Sequence, residues 1–393
     1  MRASLLANAS LTVAGLAAGL LLCEVILRLL GVTYPIFYQA DYYLGQSARP
    51  GAEGWQTTEG RAYIRFNSSG FRDLEHLKDK RKNAFRIAVL GDSYAAAVNV
   101  RIDQTFWKVM ERELSRRTEL RNREVEVINF GVSGYGTAQE LIMLRRYAWA
   151  YSPDLVVLMF TPGNDFRDNS PVLDPMKMRP FFVLKNGELV PDNSFRNSSR
   201  FRFSNSWFWR ALCRTTDYSR TAQIALYIVT VVHREHQARI ENGQGGELGL
   251  DDIVYRPPTD AAWKDAWGVT EELLEMMHHE SVAKGVQFLV VTDTSGGQVD
   301  PDPAAVRALA ERLGVPDLLY PDRRIAALAM NDGFAVLNLA QPLEAYAQQH
   351  HVYLHGFKNT TMGGGHWNVD GHRIASKLIV QKVCQMQVAP AGP

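Results

Sequence analysis

Cysteine is scarce in this chain: Cys23, Cys213 and Cys384 are the three in 393 residues, far apart and without CxxC or Cys/His spacing. That excludes a disulfide framework and a structural zinc site, and because Cys23 lies in an apolar run at most one bridge is open. An excess of charge of either sign is missing too. Lys+Arg 43 against Asp+Glu 42 leaves a formal net charge of +1, so no whole-chain field gathers nucleic acid or anionic lipid, and any partner must be recognised locally. Internal repeats and low-complexity tracts are absent. With 46% hydrophobic and 22% charged residues, the chain can bury a sizeable core, which excludes a disordered protein. One large catalytic-sized unit with insertions is the simplest expectation at this length.

What the sequence does have is one long uncharged run. From Ala3 to Cys23 it is rich in Leu, Ala and Val, about the ~20 residues that a bilayer-spanning helix needs. Arg2 and the terminal amine precede it, which predicts a cytoplasmic N-terminus and a folded bulk on the far side. A cleaved signal peptide and a buried helix of the soluble domain are the rival readings. The run lacks a small-x-small cleavage site, and Leu20-Leu21-Leu22-Cys23 puts Leu where a lipoprotein signal wants a small residue. The helix is expected to continue past Glu24 and Arg28 to Leu30, making 1–31 the anchor.

Residues 32–83 mix Pro, Gly, aromatic and charged residues without sustained periodicity and predict an extended arm, with a short strand at Ala62 to Asn67 and a turn at Ser69-Gly70. From residue 84 strands and helices alternate. Strands are predicted at Arg86 to Leu90, Val125 to Phe130, Asp154 to Phe160, Val286 to Thr292 and Phe334 to Leu339. Helices are predicted at Gln104 to Arg117, Ala138 to Trp149, Ala261 to Lys284, Pro303 to Leu313, Asp322 to Asn331 and Asp370 to Val383. An insertion at about 166–258 holds a hairpin turning at Lys185-Asn186-Gly187, an aromatic and basic stretch with Trp207, Phe208 and Trp209, and a helix from Tyr218 to Arg234. The sum is an α/β fold: a five-stranded parallel sheet covered by helices, in a domain of 84–393.

In such a sheet ligands bind beyond the carboxyl ends of the strands. Four places there carry chemistry. Gly91-Asp92-Ser93-Tyr94 puts a hydroxyl after the first strand; it is not a GxSxG elbow, because Ala95 stands where the second Gly would be. Gly131 to Gly136 follows the second strand with glycines that let backbone N–H groups approach a bound oxygen, and Gly163-Asn164-Asp165 follows the third with a side-chain amide. Gly363-Gly364-Gly365-His366-Trp367-Asn368 delivers an imidazole before the last helix. Each alone is also ordinary turn or cap chemistry.

Together, IAVLGDSY, NFGVSGYGT, PGND and GHWNVDGH resemble the four sequence blocks of the SGNH (GDSL) hydrolase superfamily, over about residues 60–385 without the insertion. RFNSSGFRD and LLCEVILRLLG also look like segments of bacterial membrane-anchored members. The resemblance implies a three-layer α/β/α sandwich of flavodoxin type, Ser93 as nucleophile and His366 as base. It implies an oxyanion hole from the N–H groups of Ser93 and Gly134 and the Asn164 side chain, with no metal and no cofactor. It also implies a single-pass protein of the bacterial inner membrane, its catalytic domain periplasmic.

One position departs from the family. The Asp usually found two or three residues before the His is replaced by Gly364 and Gly363. His366 is therefore expected to be held by a backbone carbonyl, as a Ser–His dyad, or by an Asp from another loop, as a reassembled triad; Asp165 and Asp370 are near in sequence. His372, with Asp370 two before it, is the alternative base. The expected activity is hydrolysis of carboxylic esters through an acyl-enzyme, the substrate a small acyl group on a glycan or other envelope molecule. The alternatives are an O-acyltransferase modifying an exported polysaccharide and a non-catalytic envelope module. The aromatic insertion suits a lid, a bilayer contact, a glycan contact or a small satellite core equally.

Overall fold

The computed structural model describes residues 2–120, 123–229 and 252–388. Helix α1 (Arg2–Leu29) contains an apolar stretch, Leu5–Leu29, with a mean hydropathy of 2.1 and none of it buried. A core helix of a soluble domain would be covered, so that rival reading fails; by length and composition α1 can cross a membrane or serve as a signal sequence. The arm that follows is more regular than its composition suggests. It forms two antiparallel hairpins, β1 (Tyr38–Asp41) with β2 (Gly45–Ala48) and β3 (Glu53–Gln56) with β4 (Ala62–Arg65). They close over a small core of Phe37, Ala48, Ala52, Ala62, Ile64 and Phe66.

The NSSGFRD segment then straps the arm down. Asn67 Oδ1 accepts from the N–H groups of Ser69 and Phe71, forming the turn. Arg72, fully buried, donates to the carbonyls of Ala96, Ala97 and Val100, and Asp73 accepts the N–H of Asn129 at 2.9 Å. Desolvation pulls the Arg72 guanidinium down to about 9, against the opposing pull of Tyr38 and Asp73.

The main sheet takes β5 (Ala84–Gly91), β6 (Glu124–Asn129) and β7 (Leu155–Phe160) before the insertion, whose hairpin is β8 (Phe181–Lys185) and β9 (Glu188–Asp192). Asn186 and Gly187, both at positive φ, make the hairpin's two-residue turn, as the Asn-Gly pair predicts. Strands β10 (Gln287–Thr292) and β11 (Ala335–Asn338) complete the sheet in the order β11-β10-β7-β5-β6, every pair parallel. Side chains alternate between two cores. Ala88, Leu90, Val156, Leu158 and Phe160 pack with the helices α4 (Thr137–Arg146), α9 (Ala261–Ala283) and α11 (Tyr320–Asp332). Ile87, Val89, Leu155, Val157 and Met159 face α3 (Phe106–Leu114), α12 (Ala340–His350) and α13 (Val369–Val388). With both faces covered, the central strands read as continuous apolar runs.

Strand β5 has β6 on one side and β7 on the other, so the strand order reverses there and leaves a crevice at the carboxyl ends. Helix α12 was not expected: Pro342 reads as a breaker, yet it stands in the first turn, where no intrahelical N–H is missed. In the insertion, the short helices α6 (Ser199–Ser204) and α7 (Trp207–Thr215) occupy the aromatic and basic stretch. The helix predicted for 218–234 appears as α8, described over 220–229; residues 230–234 lie outside the described residues.

Candidate active site

Ser93 opens α2 (Ser93–Ala96) directly after β5. Asp92 caps this short helix by accepting the Tyr94 N–H at 2.9 Å, while Trp107 and Asn129 both donate to the Ala95 carbonyl at 3.1 Å. Ser93 is half-exposed between buried Asp92 and Tyr94, and Gly134, Asn164 and His366 are half-exposed as well. All of them lie at the crevice end of the sheet. The predicted nucleophile and base meet: Ser93 Oγ lies 2.7 Å from His366 Nε2.

The other side of the imidazole corrects the expectation of a carbonyl-held dyad. His366 Nδ1 faces Glu59 Oε2 at 2.6 Å, and the His366 backbone N–H donates to Glu59 Oε1 at 2.7 Å. Glu59 sits at the tip of the β3–β4 hairpin, in the arm and not beside His366 in sequence. Asn99 donates to Glu59 Oε2 at 2.7 Å. Burial raises the Glu59 carboxyl, but the His366 contacts and the Asn99 amide outweigh it and leave it below the usual carboxylate range. A carboxylate there fixes Nδ1–H as the protonated tautomer, with Nε2 free to accept from Ser93.

Neither nearby Asp plays that part. Asp370 is exposed and pairs with Arg373 at 2.7 Å, and Asp165 accepts the Thr161 N–H at 2.7 Å. His372 does not reach the site either. It is buried, lies parallel to the Phe106 ring, and desolvation with nearby positive charge pulls it down to about 3.

The glycines before His366 serve a different end from carbonyl capture. Gly365 has φ +68, and a Cβ there would run into Glu59 Oε1, so glycine is what lets the carboxylate approach. Gly60 has the same φ, and a Cβ on it would strike the Asn99 carbonyl and crowd the Phe357 ring. Asn359, from the loop ahead of His366, clamps the hairpin tip: it accepts the Gly60 N–H at 3.0 Å and donates to Thr57 O at 2.9 Å. Below the loop, Thr294 Oγ1 accepts from Trp367 Nε1 and so donates to His355 Nε2, leaving the His355 Nδ1–H for the Gly365 carbonyl at 2.8 Å. Burial pulls His355 down to about 4, so it stays neutral.

The expected oxyanion donors flank Ser93. Neither the Ser93 nor the Gly134 N–H meets an acceptor among the described residues. Asn164 Nδ2 donates to Asp92 Oδ2 at 3.0 Å, which aims one amide hydrogen and leaves the second. Behind this surface lie Asp92, Glu140, Asp165 and Asp293, all buried. Burial first and mutual repulsion second push Glu140, Asp165 and Asp293 well above the usual carboxylate range; Asp92 is raised by burial, opposed by its Asn164 and Tyr94 bonds.

Among the described residues, donor atoms with metal-ligand spacing are brought together by His278, His279 and Asp332. They sit where α9 and α11 end, just ahead of β10 and β11, and so at the opposite end of the sheet from Ser93.

No family model matches the sequence, and no curated protein matches it. Solved structures similar to the chain include an acetyl xylan esterase (13% identity, 76% of this chain and 100% of that one, TM-score 0.39). Two others are a lipase/acylhydrolase from Enterococcus faecalis (14%, 79% and 100%, TM-score 0.36) and a member of the lipolytic protein G-D-S-L family from Veillonella parvula (11%, 76% and 97%, TM-score 0.35). At such identities the likeness is one of fold.

Proposed function

We propose that the chain is a serine esterase of the SGNH type, tethered to a membrane by α1, that cleaves a carboxylic ester through an acyl-enzyme on Ser93. The observation that carries this reading is the unbroken row from Ser93 Oγ through the His366 imidazole to the Glu59 carboxylate, with contacts of 2.7 and 2.6 Å. A serine hydroxyl is too weak an acid to attack unaided, and a base oriented by a carboxylate is the standard remedy. The row also favours catalysis over a non-catalytic module, because it gives His366 an acid.

In the proposed mechanism Ser93 Oγ bonds to the ester carbon as its proton passes to His366 Nε2. The carbonyl oxygen becomes an oxyanion received by the N–H groups of Ser93 and Gly134 and by Asn164 Nδ2, each worth about 3 kcal/mol of barrier. Glu59 stabilises the imidazolium. Collapse breaks the bond to the alcohol, which leaves with the proton from Nε2; water then attacks the acyl-enzyme by the same steps in reverse. A site held beside a membrane suits an acylated glycan or another envelope molecule, and a sugar hydroxyl in place of water would give O-acyl transfer with the same residues.

Turnover of p-nitrophenyl acetate by the detergent-solubilised chain tests the reading. Ser93→Ala abolishes it at an unchanged melting temperature; retention of more than roughly a tenth of the rate contradicts the nucleophile role.

A further inference from the structure

Helix α7 is amphipathic, but its outward face is the wrong kind for water. Trp209, Cys213 and Thr216 turn inward, three and four residues apart. Outward lie Trp207, Phe208, Ala211, Arg214 and Thr215, and the stripe continues into Tyr218, which follows the helix. Trp207 is 80% exposed, Phe208 56% and Tyr218 82%, with Phe203 on α6 at 54%. Single exposed aromatics are ordinary, whereas a row of them along one helix face asks for a cover. Along the segment the charge is of one sign: between Asp192 and Asp217 stand Arg196, Arg200, Arg202, Arg210 and Arg214 and no acidic residue, with Arg196 and Arg210 bonded to the carbonyls of Tyr42 and Ala40.

The end of this stripe is joined to the end of the apolar helix. Arg28 donates to the Tyr218 carbonyl at 2.7 Å. Glu24 accepts from the N–H groups of Arg220 and Thr221, both at 3.0 Å, and so caps α8 from within the last turns of α1. Beyond that cap, α8 exposes Ile228 and Val229. The aromatic face thus starts where the membrane-length helix stops.

We propose that α7, with Phe203 and Tyr218, is a second membrane contact: it lies in the headgroup and upper acyl region of the leaflet into which α1 emerges, and its arginines meet anionic phospholipid. Trp and Tyr favour that zone, an in-plane amphipathic helix presents an apolar face flanked by cations to it, and Lys and Arg near an anionic surface add to the attraction. The proposal rests on reading α1 as a span. With two attachments the domain is held in one orientation over the bilayer instead of turning on a single tether.

The test uses the full chain reconstituted in vesicles of phosphatidylglycerol and phosphatidylcholine carrying a nitroxide near the top of the acyl chain. None of the eight tryptophans lies in α1, so quenching reports only on the folded part. Wild-type emission is quenched, Trp207→Phe removes roughly half or more of that quenching while the melting temperature stays the same, and Trp55→Phe leaves it. Purely zwitterionic vesicles weaken it. If the chain floats with the vesicles but its emission is not quenched, or Trp207→Phe changes nothing, the second contact is wrong and the anchor stands. If the chain does not float with them, both fall.

Discussion

Glu59→Gln isolates the carboxylate that the arm brings to His366. The change keeps size and shape, but an amide has one accepting end, and three donors converge on the two oxygens: the His366 N–H at 2.7 Å, His366 Nδ1 at 2.6 Å and Asn99 Nδ2 at 2.7 Å. With the amide nitrogen toward Nδ1, the imidazole must accept there and carry its proton on Nε2, the tautomer that cannot take a proton from Ser93. With the nitrogen turned the other way, the tautomer survives, but an N–H faces the His366 backbone N–H. In either case the charge that stabilises the imidazolium is gone. In triads of this kind the acid-to-amide change costs about 10⁴-fold; allowing for the second orientation, kcat on p-nitrophenyl acetate should fall by about 10³, or about 4 kcal/mol. KM should hold, because Glu59 does not touch the substrate in the proposed mechanism, and the melting temperature should move little. A kcat within roughly tenfold of wild type, in a folded protein, refutes the role assigned to Glu59.

Three further outcomes are expected. Asn164→Ala lowers kcat by roughly 10²-fold or more with KM little changed, the loss of one donor felt only in the transition state; a fall confined to KM would count against the oxyanion assignment. Gly365→Ala pushes Glu59 off the imidazole, and pH-resolved kinetics should show a loss resembling that of Glu59→Gln, whereas an unaffected rate would mean that the close approach is not needed. His372→Leu keeps its ester turnover but changes the pH dependence of stability. A buried neutral His lets the unfolded chain gain a proton first as pH falls below 6.5, so the wild type loses stability from there toward about 3. Denaturant unfolding should therefore show the variant gaining on the wild type by roughly 3 kcal/mol between pH 6.5 and pH 4, and parallel curves would be the contrary result.

The strand–helix alternation was readable because β5 and β7 are buried on both faces and so appear as the apolar runs Ile87 to Leu90 and Leu155 to Phe160, each with a glycine soon after it, Gly91 and Gly163. The places of Ser93, Gly134 and Asn164 were readable for a related reason, each following a strand that ends at the crevice, whereas that of His366 was readable from the helix it precedes. Glu59 was not. It stands on a hairpin tip in an arm without strong periodicity, where a glutamate looks like any solvated loop residue, and its meaning comes from Gly365, Gly60 and Asn359, which make room for it and clamp it. The glycines ahead of His366 hinted at a close approach, but not at what approaches. Helix α7 escaped notice because its outward face carries Trp207 and Phe208, which blurs the apolar–polar alternation by which a surface helix is recognised.

The activation of Ser93 is tested most directly by intact-protein mass spectrometry of the full chain after brief exposure to a fluorophosphonate, with peptide mapping of the adduct. The wild type should gain one phosphonyl group, on Ser93; the adduct should be absent from Ser93→Ala and form far more slowly in His366→Ala and Glu59→Gln. An unlabelled Ser93 in the folded wild type, or labelling that proceeds equally fast without His366, would contradict the account.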